Sequence, residues 1–319
     1  KADGLWLLGD NIYTDSRANL IDTRETAERA ADRYRSAFTA DTRNDQVYRS
    51  KAMSQILGSL PTWMIVDDHE FEDDWAPKIE NRVKLDRSHR RWSEGDTKDI
   101  DIELNQRIRT DPYDSATGIQ FKAAQAYQWR RLPRTRTEKN RVRIDDNSAP
   151  RLPGSSTAAH HSTVRGFWRE FSTAGLPCFA MDTRIERTPA SSDRAWRTRS
   201  LIGSAQRLAI QKWFARHKNS PEPIFLLSGS PFGLVRQAEY LEPSAASRLD
   251  DWTGYPATMQ WLVKAIVTNQ VQNLYIISGD LHFSADLKIE IRTNGSNLDN
   301  PIRLRSLICS GLNSTLPFA

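Results

Sequence analysis

Acidic residues stand at the ends of four apolar stretches of the sequence. Each stretch has the character of a buried strand and is followed within three residues by an aspartate: residues 5–8 by Gly9-Asp10, 63–66 by Asp67-Asp68-His69-Glu70, 178–181 by Asp182-Thr183-Arg184, and 275–277 by Ser278-Gly279-Asp280-Leu281-His282. In α/β sheets the carboxyl ends of the strands form the ligand-binding crevice. We therefore expect these four ends to converge and to place their polar side chains at one site.

Carboxylates that converge in this way repel one another, and their pKa values rise unless a counter-charge is present. A bound cation is the simplest such counter-charge. Asp10, Asp68, Asp280 and His282 offer oxygen and imidazole ligands, which suit calcium, manganese, iron or zinc. Two adjacent metal ions that share a bridging aspartate would activate a water molecule and clamp a phosphoryl group. The pattern thus predicts a metal centre that acts on phosphate esters.

Each of these segments also has a purely structural interpretation. Gly9-Asp10 on its own is typical of a turn, and Asp67-Asp68-His69-Glu70 is also the start expected of a helix, because aspartate is a good N-cap. Gly279-Asp280-Leu281-His282 is compatible with a hairpin around a core histidine. Turns do not readily explain all of the segments together. The other four histidines lie on basic helical faces or in a loop segment, and we predict no catalytic role for them: His89, His160, His161 and His217.

The elements that position these side chains follow an alternating order. The apolar runs predict strands at 5–8, 62–66, 178–181, 224–227 and 274–277, and helical spacing predicts helices at 25–38, 46–57, 205–217 and 257–268. This alternation indicates an α/β layered fold. Two further strands, 286–291 and 302–309, flank an Asn294-Gly295 turn. We predict one domain over 1–319, with a surface insertion at 130–165 that is rich in Arg, Pro and Ser.

Composition excludes some classes of protein and partner. The net charge of +5 is mildly basic and would attract anionic substrates. The arginines form no dense block interleaved with aromatic residues, so no specific nucleic-acid partner is predicted. No run of eighteen apolar residues exists, which argues against a membrane span. Cys178 and Cys309 form no C-x-x-C pair, which excludes a cysteine-based zinc site, and both are predicted to be buried thiols.

Taken together, these motifs resemble those of one known family. The resemblance rests on blocks in the same order along almost the whole chain: Gly9-Asp10-Asn11-Ile12-Tyr13, Asp67-Asp68-His69-Glu70 with Asp73-Asp74-Trp75, Met181-Asp182-Thr183-Arg184, Leu201-Ile202-Gly203 with Gln206, Asp250-Asp251-Trp252-Thr253-Gly254-Tyr255-Pro256, and Ser278-Gly279-Asp280-Leu281-His282. The family is that of the alkaline phosphatase D-like (PhoD-like) metallophosphatases, in the calcineurin-like phosphoesterase superfamily.

The resemblance implies a fold and a set of cofactors. The expected fold is α/β (α+β), a calcineurin-like two-sheet β-sandwich flanked by helices in four layers. The expected cofactors are two or more metal ions, calcium and iron first, with manganese or zinc as alternatives. The expected substrate is a small-molecule or polymeric phosphate ester, hydrolysed by a metal-activated water.

The resemblance also implies roles for individual residues. Asp10 matches the bridging ligand, Tyr13 a phenolate ligand and Asp68 a ligand of the second metal. Asp280 and His282 match the last pair of ligands. His69 matches a general acid or transition-state stabiliser beside the leaving group. Arg184 matches a residue that holds phosphate oxygens, a task for which its planar guanidinium is suited.

The sequence departs from the family pattern at two places. The first metal motif of the superfamily is expected on a strand upstream of residue 1, and Ser228-Gly229-Ser230-Pro231 stands where a histidine is usual. Two other functions therefore stay open. One is a catalytically weak protein on the same fold that binds phosphorylated ligands or cell-wall polymers, and the other is a metal-dependent esterase. Export is common in the family, and the sequence leaves the compartment open.

Overall fold

The computed structural model of the chain describes residues 4–13, 34, 57–71, 124, 128, 167–188, 196–233, 249–281, 283–292 and 301–309. These residues contain eight strands and two α-helices of thirteen residues each. In chain order the strands are β1 (Leu5–Leu8), β2 (Thr62–Ile65), β3 (Arg169–Thr173), β4 (Leu176–Ala180), β5 (Ile224–Ser228), β6 (Leu274–Ser278), β7 (Ala285–Ile291) and β8 (Ile302–Ile308). The helices are α1 (Ser204–Arg216) and α2 (Pro256–Thr268).

The strands of the described residues form two sheets. The larger has six strands in the order β3-β4-β5-β6-β8-β7, and β1 and β2 form a separate parallel pair. The four inner strands of the larger sheet are parallel, while β3 and β7 are antiparallel strands at its edges. Ser228 lies opposite Ser278 in the register, so the carboxyl ends of β5 and β6 lie side by side. This edge of the sheet is where the predicted site residues follow their strands.

Apolar runs form the two central strands β5 and β6 because both of their faces are covered. The sequences of β5 and β6, Ile-Phe-Leu-Leu-Ser and Leu-Tyr-Ile-Ile-Ser, have no polar residue before the final serine. Leu226 and Ile276 are fully buried, in one core cluster with residues of both helices. A parallel sheet in this setting needs apolar side chains on both faces, which alternating polar residues would not supply.

The two helices present one apolar stripe each to this core. The buried positions recur at helical spacing: Gln206, Ile210, Trp213 and Phe214 on α1, and Thr258, Leu262, Ala265 and Ile266 on α2. Pro256 stands at the start of α2, where its missing N–H costs no helical hydrogen bond. Full burial of a side chain such as Leu262 contributes roughly 1.5–3 kcal/mol.

A second core cluster joins the β1–β2 pair to the larger sheet. Trp63 of β2 stacks on Phe171 of β3, with ring centroids 5.6 Å apart. Ile65, Leu227 and Ile277 belong to the same buried cluster. The two sheets therefore share apolar contacts, which fixes the end of β2 close to the ends of β5 and β6.

The strand predictions agree with the structure to within two residues at each end. The helices predicted at 205–217 and 257–268 are found as α1 and α2, and the two tail strands are found as the antiparallel pair β7–β8. The strand β3 was not predicted, because Arg169-Glu170-Phe171-Ser172-Thr173 has one buried apolar residue and the strand lies at the sheet edge.

Some predictions fall on other parts of the chain. The helix 25–38 apart from residue 34, most of the helix 46–57, the Asn294-Gly295 turn and the insertion 130–165 lie outside the described residues. None of the helices in the described ranges combines the length and apolar content that a membrane crossing needs.

The prediction that both cysteines are buried was wrong for Cys309. Cys178 is buried in β4, but Cys309 is exposed. Buried and more exposed positions alternate along β8, and Ile308 ends it on the buried side. The next residue therefore points to the opposite, open side, as the two-residue period of a strand requires.

Candidate metal centre

The ends of β1, β2 and β6 meet at one edge of the two sheets. A Cβ atom on Gly279, which follows β6, would lie 2.5 Å from the backbone oxygen of Leu8, and one on Gly229, which follows β5, would lie 2.7 Å from Oδ1 of Asp67. Only glycine fits at such distances. The end of β6 therefore lies against the end of β1, and the end of β5 lies against the end of β2, so that Asp10, Asp67 and Asp280 are brought together.

Two of these aspartates have an unusual backbone conformation. Asp10 has a φ of 51° and Asp280 a φ of 70°, in the left-handed region that few residues other than glycine adopt. Each follows a glycine, and Gly9 itself has a φ of 101°. Asp tolerates this region better than most residues, but the conformation costs free energy and such residues cluster at functional sites. The two Gly-Asp pairs thus turn their carboxylates sharply out of the strand direction.

Four carboxylates lie within ligand distance of one another. Asp10, Asp67, Asp68 and Asp280 each offer an oxygen atom, and these oxygens all lie within 4.8 Å of each other. Asp10, Asp68 and His69 form a second such group by the same measure. Oxygen and imidazole donors at this spacing are the ligands that hard and borderline metal ions take in proteins.

Glu70 fixes the two loops that carry these ligands. Its buried carboxylate accepts hydrogen bonds from the backbone N–H groups of Asp10 (3.2 Å), Asn11 (2.8 Å) and Asp67 (2.8 Å). It also accepts bonds from the side chains of Asn11 (3.1 Å) and Gln128 (2.9 Å). One side chain therefore joins the loop after β1 to the loop after β2.

Arg184 supplies positive charge beneath the cluster. Its side chain is fully buried, and its Nε donates to Asp67. Its Nη1 lies 2.6 Å from Asp250, and its Nη2 lies 3.4 Å from Asp68 and 4.0 Å from Asp280. The carboxylates raise the pKa of Arg184 above its usual value although burial alone would lower it. One permanent cation thus faces four carboxylates.

One arginine does not neutralise this set of carboxylates. Burial raises the pKa of Asp10 to about 11, and Asp67 and Asp68 add to the effect. Burial likewise raises the pKa of Asp280 to about 7, even though Arg184 opposes the rise. A bound cation would stabilise the ionised form of such buried carboxyl groups.

The cluster also has acceptor oxygens that no described residue contacts by a hydrogen bond. Oδ1 of Asp10 and Oδ2 of Asp67 are buried and have no hydrogen-bond partner among the described residues. Buried carboxylate oxygens normally accept hydrogen bonds or bind a cation. The residues present therefore fit a bound metal ion in both their chemistry and their missing partners.

The aromatic ring of Tyr13 packs against His69. The two rings stack with centroids 4.0 Å apart and planes inclined by 27°. Burial raises the pKa of Tyr13 above its usual value, and Asp10 and Asp68 add to the rise. The stack fixes the plane of the imidazole at the rim of the carboxylate cluster.

The structure brings most of the predicted site residues together. Asp10, Asp68, His69 and Asp280 belong to the groups within ligand distance, and Tyr13 lies against His69. Arg184 lies beside Asp68 and Asp280. His282 lies outside the described residues.

Sequence reasoning assigned no role to three carboxylates that the structure places in the network. They are Asp67, Glu70 and Asp250. Asp67 and Glu70 stand in the same acidic motif as Asp68, and the strand-then-acid pattern gives no means of ranking them. The sequence shows Asp250 in an acidic and aromatic block that follows none of the predicted strands directly, so it gave no reason to place Asp250 at the site.

The fold and the site are those of an α/β protein whose acidic sheet edge could hold a metal ion. Comparison with known proteins shows its family. The model of the family described as PhoD-like phosphatase matches residues 1–302. The chain belongs to the PhoD-like phosphatase family.

Individual relatives agree with this assignment. Alkaline phosphatase D of Bacillus subtilis (strain 168) is 22% identical over an alignment 335 positions long. The alignment covers 98% of this chain and 47% of that protein. A solved structure described as "Structure of PhoD" has a TM-score of 0.55 and 17% identity, covering 97% of this chain and 51% of that one. This chain thus spans about half the length of these relatives.

Proposed function

We propose that this protein hydrolyses phosphate esters with the help of metal ions held at the carboxylate cluster. The observation that carries the proposal is the convergence of Asp10, Asp67, Asp68 and Asp280 in a chain of the PhoD-like phosphatase family. Two of their oxygens accept no hydrogen bond from the residues that the structure describes. A family of phosphatases makes a phosphate ester the natural substrate class. The basic net charge of the chain would favour the approach of such an anion.

The predicted ligands are Asp10, Asp68 and Asp280 together with Tyr13 and His282. Their oxygen and imidazole donors suit calcium and iron, and manganese or zinc would fit the same donors. Bound metal ions would supply Lewis-acid polarisation of the phosphoryl group and an activated water. Asp10 and Asp68 both belong to the two groups within ligand distance, and Asp10 is the one that matches the bridging ligand of the family.

Two residues of the chain would act on the substrate directly. His69 would donate a proton to the departing oxygen, and its stack on Tyr13 would hold the imidazole plane during that transfer. Arg184 would attract the phosphate oxygens. Of its three guanidinium nitrogens, Nη2 is the one that faces the predicted ligands Asp68 and Asp280.

The remaining features of the proposal follow the family. We propose a single domain over 1–319 with the four-layer, two-sheet sandwich of calcineurin-like enzymes. The substrate would be a small or polymeric phosphate ester, a monoester or a diester, and no specific nucleic-acid partner is proposed.

The decisive experiment compares hydrolysis of nitrophenyl phosphate and bis(nitrophenyl) phosphate in wild type, Asp10→Ala and His69→Ala. We expect His69→Ala to lower kcat by about 10²–10⁴ with metal content retained, because a general acid contributes that much. Asp10→Ala should lose both metal and activity. Asp286→Ala, which changes an exposed aspartate on β7, is the matched control and should behave as wild type.

The outcomes separate the three functions. Full activity in both site variants would refute the proposal. Metal binding without hydrolysis of any ester would favour the protein that only binds phosphorylated ligands or cell-wall polymers. Hydrolysis of carboxylic esters alone would favour the metal-dependent esterase. Elemental analysis by plasma mass spectrometry, before and after chelation, gives the metal content for each variant.

A further inference from the structure

Asp250 joins two buried arginines at the side of the candidate metal centre. Its Oδ2 lies 2.6 Å from Nη1 of Arg184, and its Oδ1 pairs with Nη1 of Arg187. Asp250 stands in the segment that leads into α2, whereas both arginines follow β4. The ion pairs therefore connect two segments that are far apart in the sequence and carry no predicted metal ligand.

Arg187 is the fixed member of this group. Its Nε donates to the backbone oxygen of Thr183 (2.7 Å), and its Nη2 donates to Oγ of Ser230 (2.9 Å) and to the backbone oxygen of Asp250 (3.3 Å). Its guanidinium also lies 5.1 Å from the ring centroid of Tyr255. With so many partners Arg187 has little freedom to move, and it holds both the backbone and the side chain of Asp250.

Within the described ranges, the guanidinium of Arg184 is oriented by contacts with carboxylates. Its Nε is held by Asp67 on one side and its Nη1 by Asp250 on the other. The hydrogen bond from Nε to Asp67 fixes one side of the planar guanidinium, and the ion pair between Nη1 and Asp250 attracts the other side, so the two carboxylates together restrict how the group can turn. The remaining nitrogen, Nη2, then faces the gap between Asp68 and Asp280.

We infer that Asp250 is a positioning residue, which sets the orientation of Arg184 so that Nη2 faces the place where a phosphate would bind. This inference rests on the proposed function for its role in catalysis, but the orientation itself is a property of the protein alone. Asp250 does not touch the substrate in this arrangement. It acts through Arg184, and Arg187 anchors it.

The first test observes Arg184 directly and requires no substrate. In protein labelled with ¹⁵N-arginine, the Nε–Hε resonance of Arg184 is assigned by its absence from the Arg184→Lys variant. We expect Asp250→Asn to shift or broaden this resonance, because the Nη1 side loses its charged partner and the group can rotate. Asp286→Asn also breaks an Arg–Asp pair, with Arg305 on the exposed face of β7–β8, and should leave the resonance unchanged.

The second test measures binding of inorganic phosphate as a competitive inhibitor and separates KM from kcat. We expect Asp250→Asn to raise KM and the phosphate inhibition constant by about tenfold or more, the order of magnitude for losing one hydrogen bond to a charged group. Metal content should stay at the wild-type level. In an Arg184→Gln background the same Asp250→Asn change should have almost no further effect, because the residue it positions is already absent.

Thermal unfolding of each Asp250 variant shows whether it folds, and only folded variants are compared with wild type. Asp250→Asn leaves two buried arginines with less negative charge between them, and Asp250→Glu serves if that variant does not fold. Asp250→Glu keeps the charge but displaces it by one methylene, so we expect a shifted Arg184 resonance and an intermediate inhibition constant. An unchanged resonance and an inhibition constant within twofold of wild type, in whichever variant folds, would overturn the inference.

The two proposals can fail separately. If metal-loaded wild type hydrolyses no phosphate ester, the proposed function fails, and the Arg184 resonance still tests the positioning role. If wild type is active and the Asp250 variants match it in both measurements, the proposed function stands and the positioning role fails.

Discussion

Asp67 shows how tightly single residues are constrained at this site. Its side chain is enclosed by two glycines and paired with Arg184. A Cβ atom on Gly9 would lie 2.4 Å from Cβ of Asp67, and Gly9 also has a φ of 101°. Burial raises the pKa of Asp67 although Arg184 opposes the rise. The position of this carboxylate therefore depends both on the two glycines that leave room for it and on its ion pair with Arg184.

At the residue scale we predict that Gly9→Ala destabilises the protein and reduces its metal content. The new methyl group would meet the Asp67 side chain, and the backbone would be strained, together on the order of 2–5 kcal/mol. Gly175→Ala is the matched control, because Gly175 has a φ of 82° but its Cβ would meet no atom within 4 Å. Chemical denaturation of both variants, with metal analysis, measures the difference. Equal losses of stability in the two variants would show that the contact with Asp67 is unimportant.

At the scale of elements, the site depends on how the loops after β1 and β2 are held together. Leu8 is the last residue of β1 and Ile65 the last of β2. These two parallel strands have four residues each, so the pair by itself has few hydrogen bonds. Glu70 adds bonds to the backbone beyond the end of each strand. These bonds orient the residues that follow, among them Asp10 and Asp68.

We predict that Glu70→Gln loosens this junction. The amide group would replace one acceptor oxygen with an N–H₂ donor that faces backbone N–H groups, leaving buried donors without a partner. Each such loss costs about 1–3 kcal/mol. The expected result is a lower free energy of unfolding together with weaker metal binding, measured by denaturation and by metal titration. Glu222→Gln, at an exposed position before β5, should change neither quantity. A Glu70→Gln protein with wild-type metal affinity would contradict the proposed role of this junction.

At the scale of the whole molecule, two core clusters bring the two sheets and two helices around one acidic edge. The buried charge at that edge makes the stability of the metal-free protein depend on pH. The pKa of Asp280 rises to about 7 and that of Asp10 to about 11, from an ordinary value of 3.8. A carboxyl group with a raised pKa stays protonated to a higher pH in the folded state than in the unfolded state. The free energy of unfolding therefore falls as pH rises above 3.8.

We therefore predict that the chelated protein is less stable at pH 8 than at pH 5. Asp280 contributes to the loss up to about pH 7 and Asp10 continues it to higher pH. Added metal ions should reverse the loss, because they stabilise the ionised carboxylates. Thermal unfolding with and without metal at each pH measures this effect. In Asp280→Asn the decline between pH 5 and pH 8 should be smaller. A melting temperature of the chelated wild type that rises over this interval would contradict the prediction.

Local sequence patterns were enough to predict the alternation of strands and helices and the family to which the chain belongs. Apolar runs and helical spacing are local properties, and they identified β1, β2, β4, β5, β6, α1 and α2. The position of Asp10 and Asp280 after a glycine at a strand end was visible for the same reason. The strand β3 was missed, since an edge strand with a single buried apolar residue has no strong local signal.

Which charged groups each acidic residue contacts depends on the tertiary structure and could not be predicted from local sequence. Asp67 and Asp68 are neighbours in the sequence, but Asp67 is enclosed by glycines and accepts from Nε of Arg184. Asp68 lies near Nη2 of the same arginine and is also within ligand distance of His69. Arg184 and Asp250 are separated by a long stretch of chain, and their ion pair exists because the loop after β4 meets the segment before α2. Local sequence fixes where strands end. Contacts between distant segments fix which charges become partners, because burial and Coulomb energy depend on distance in space.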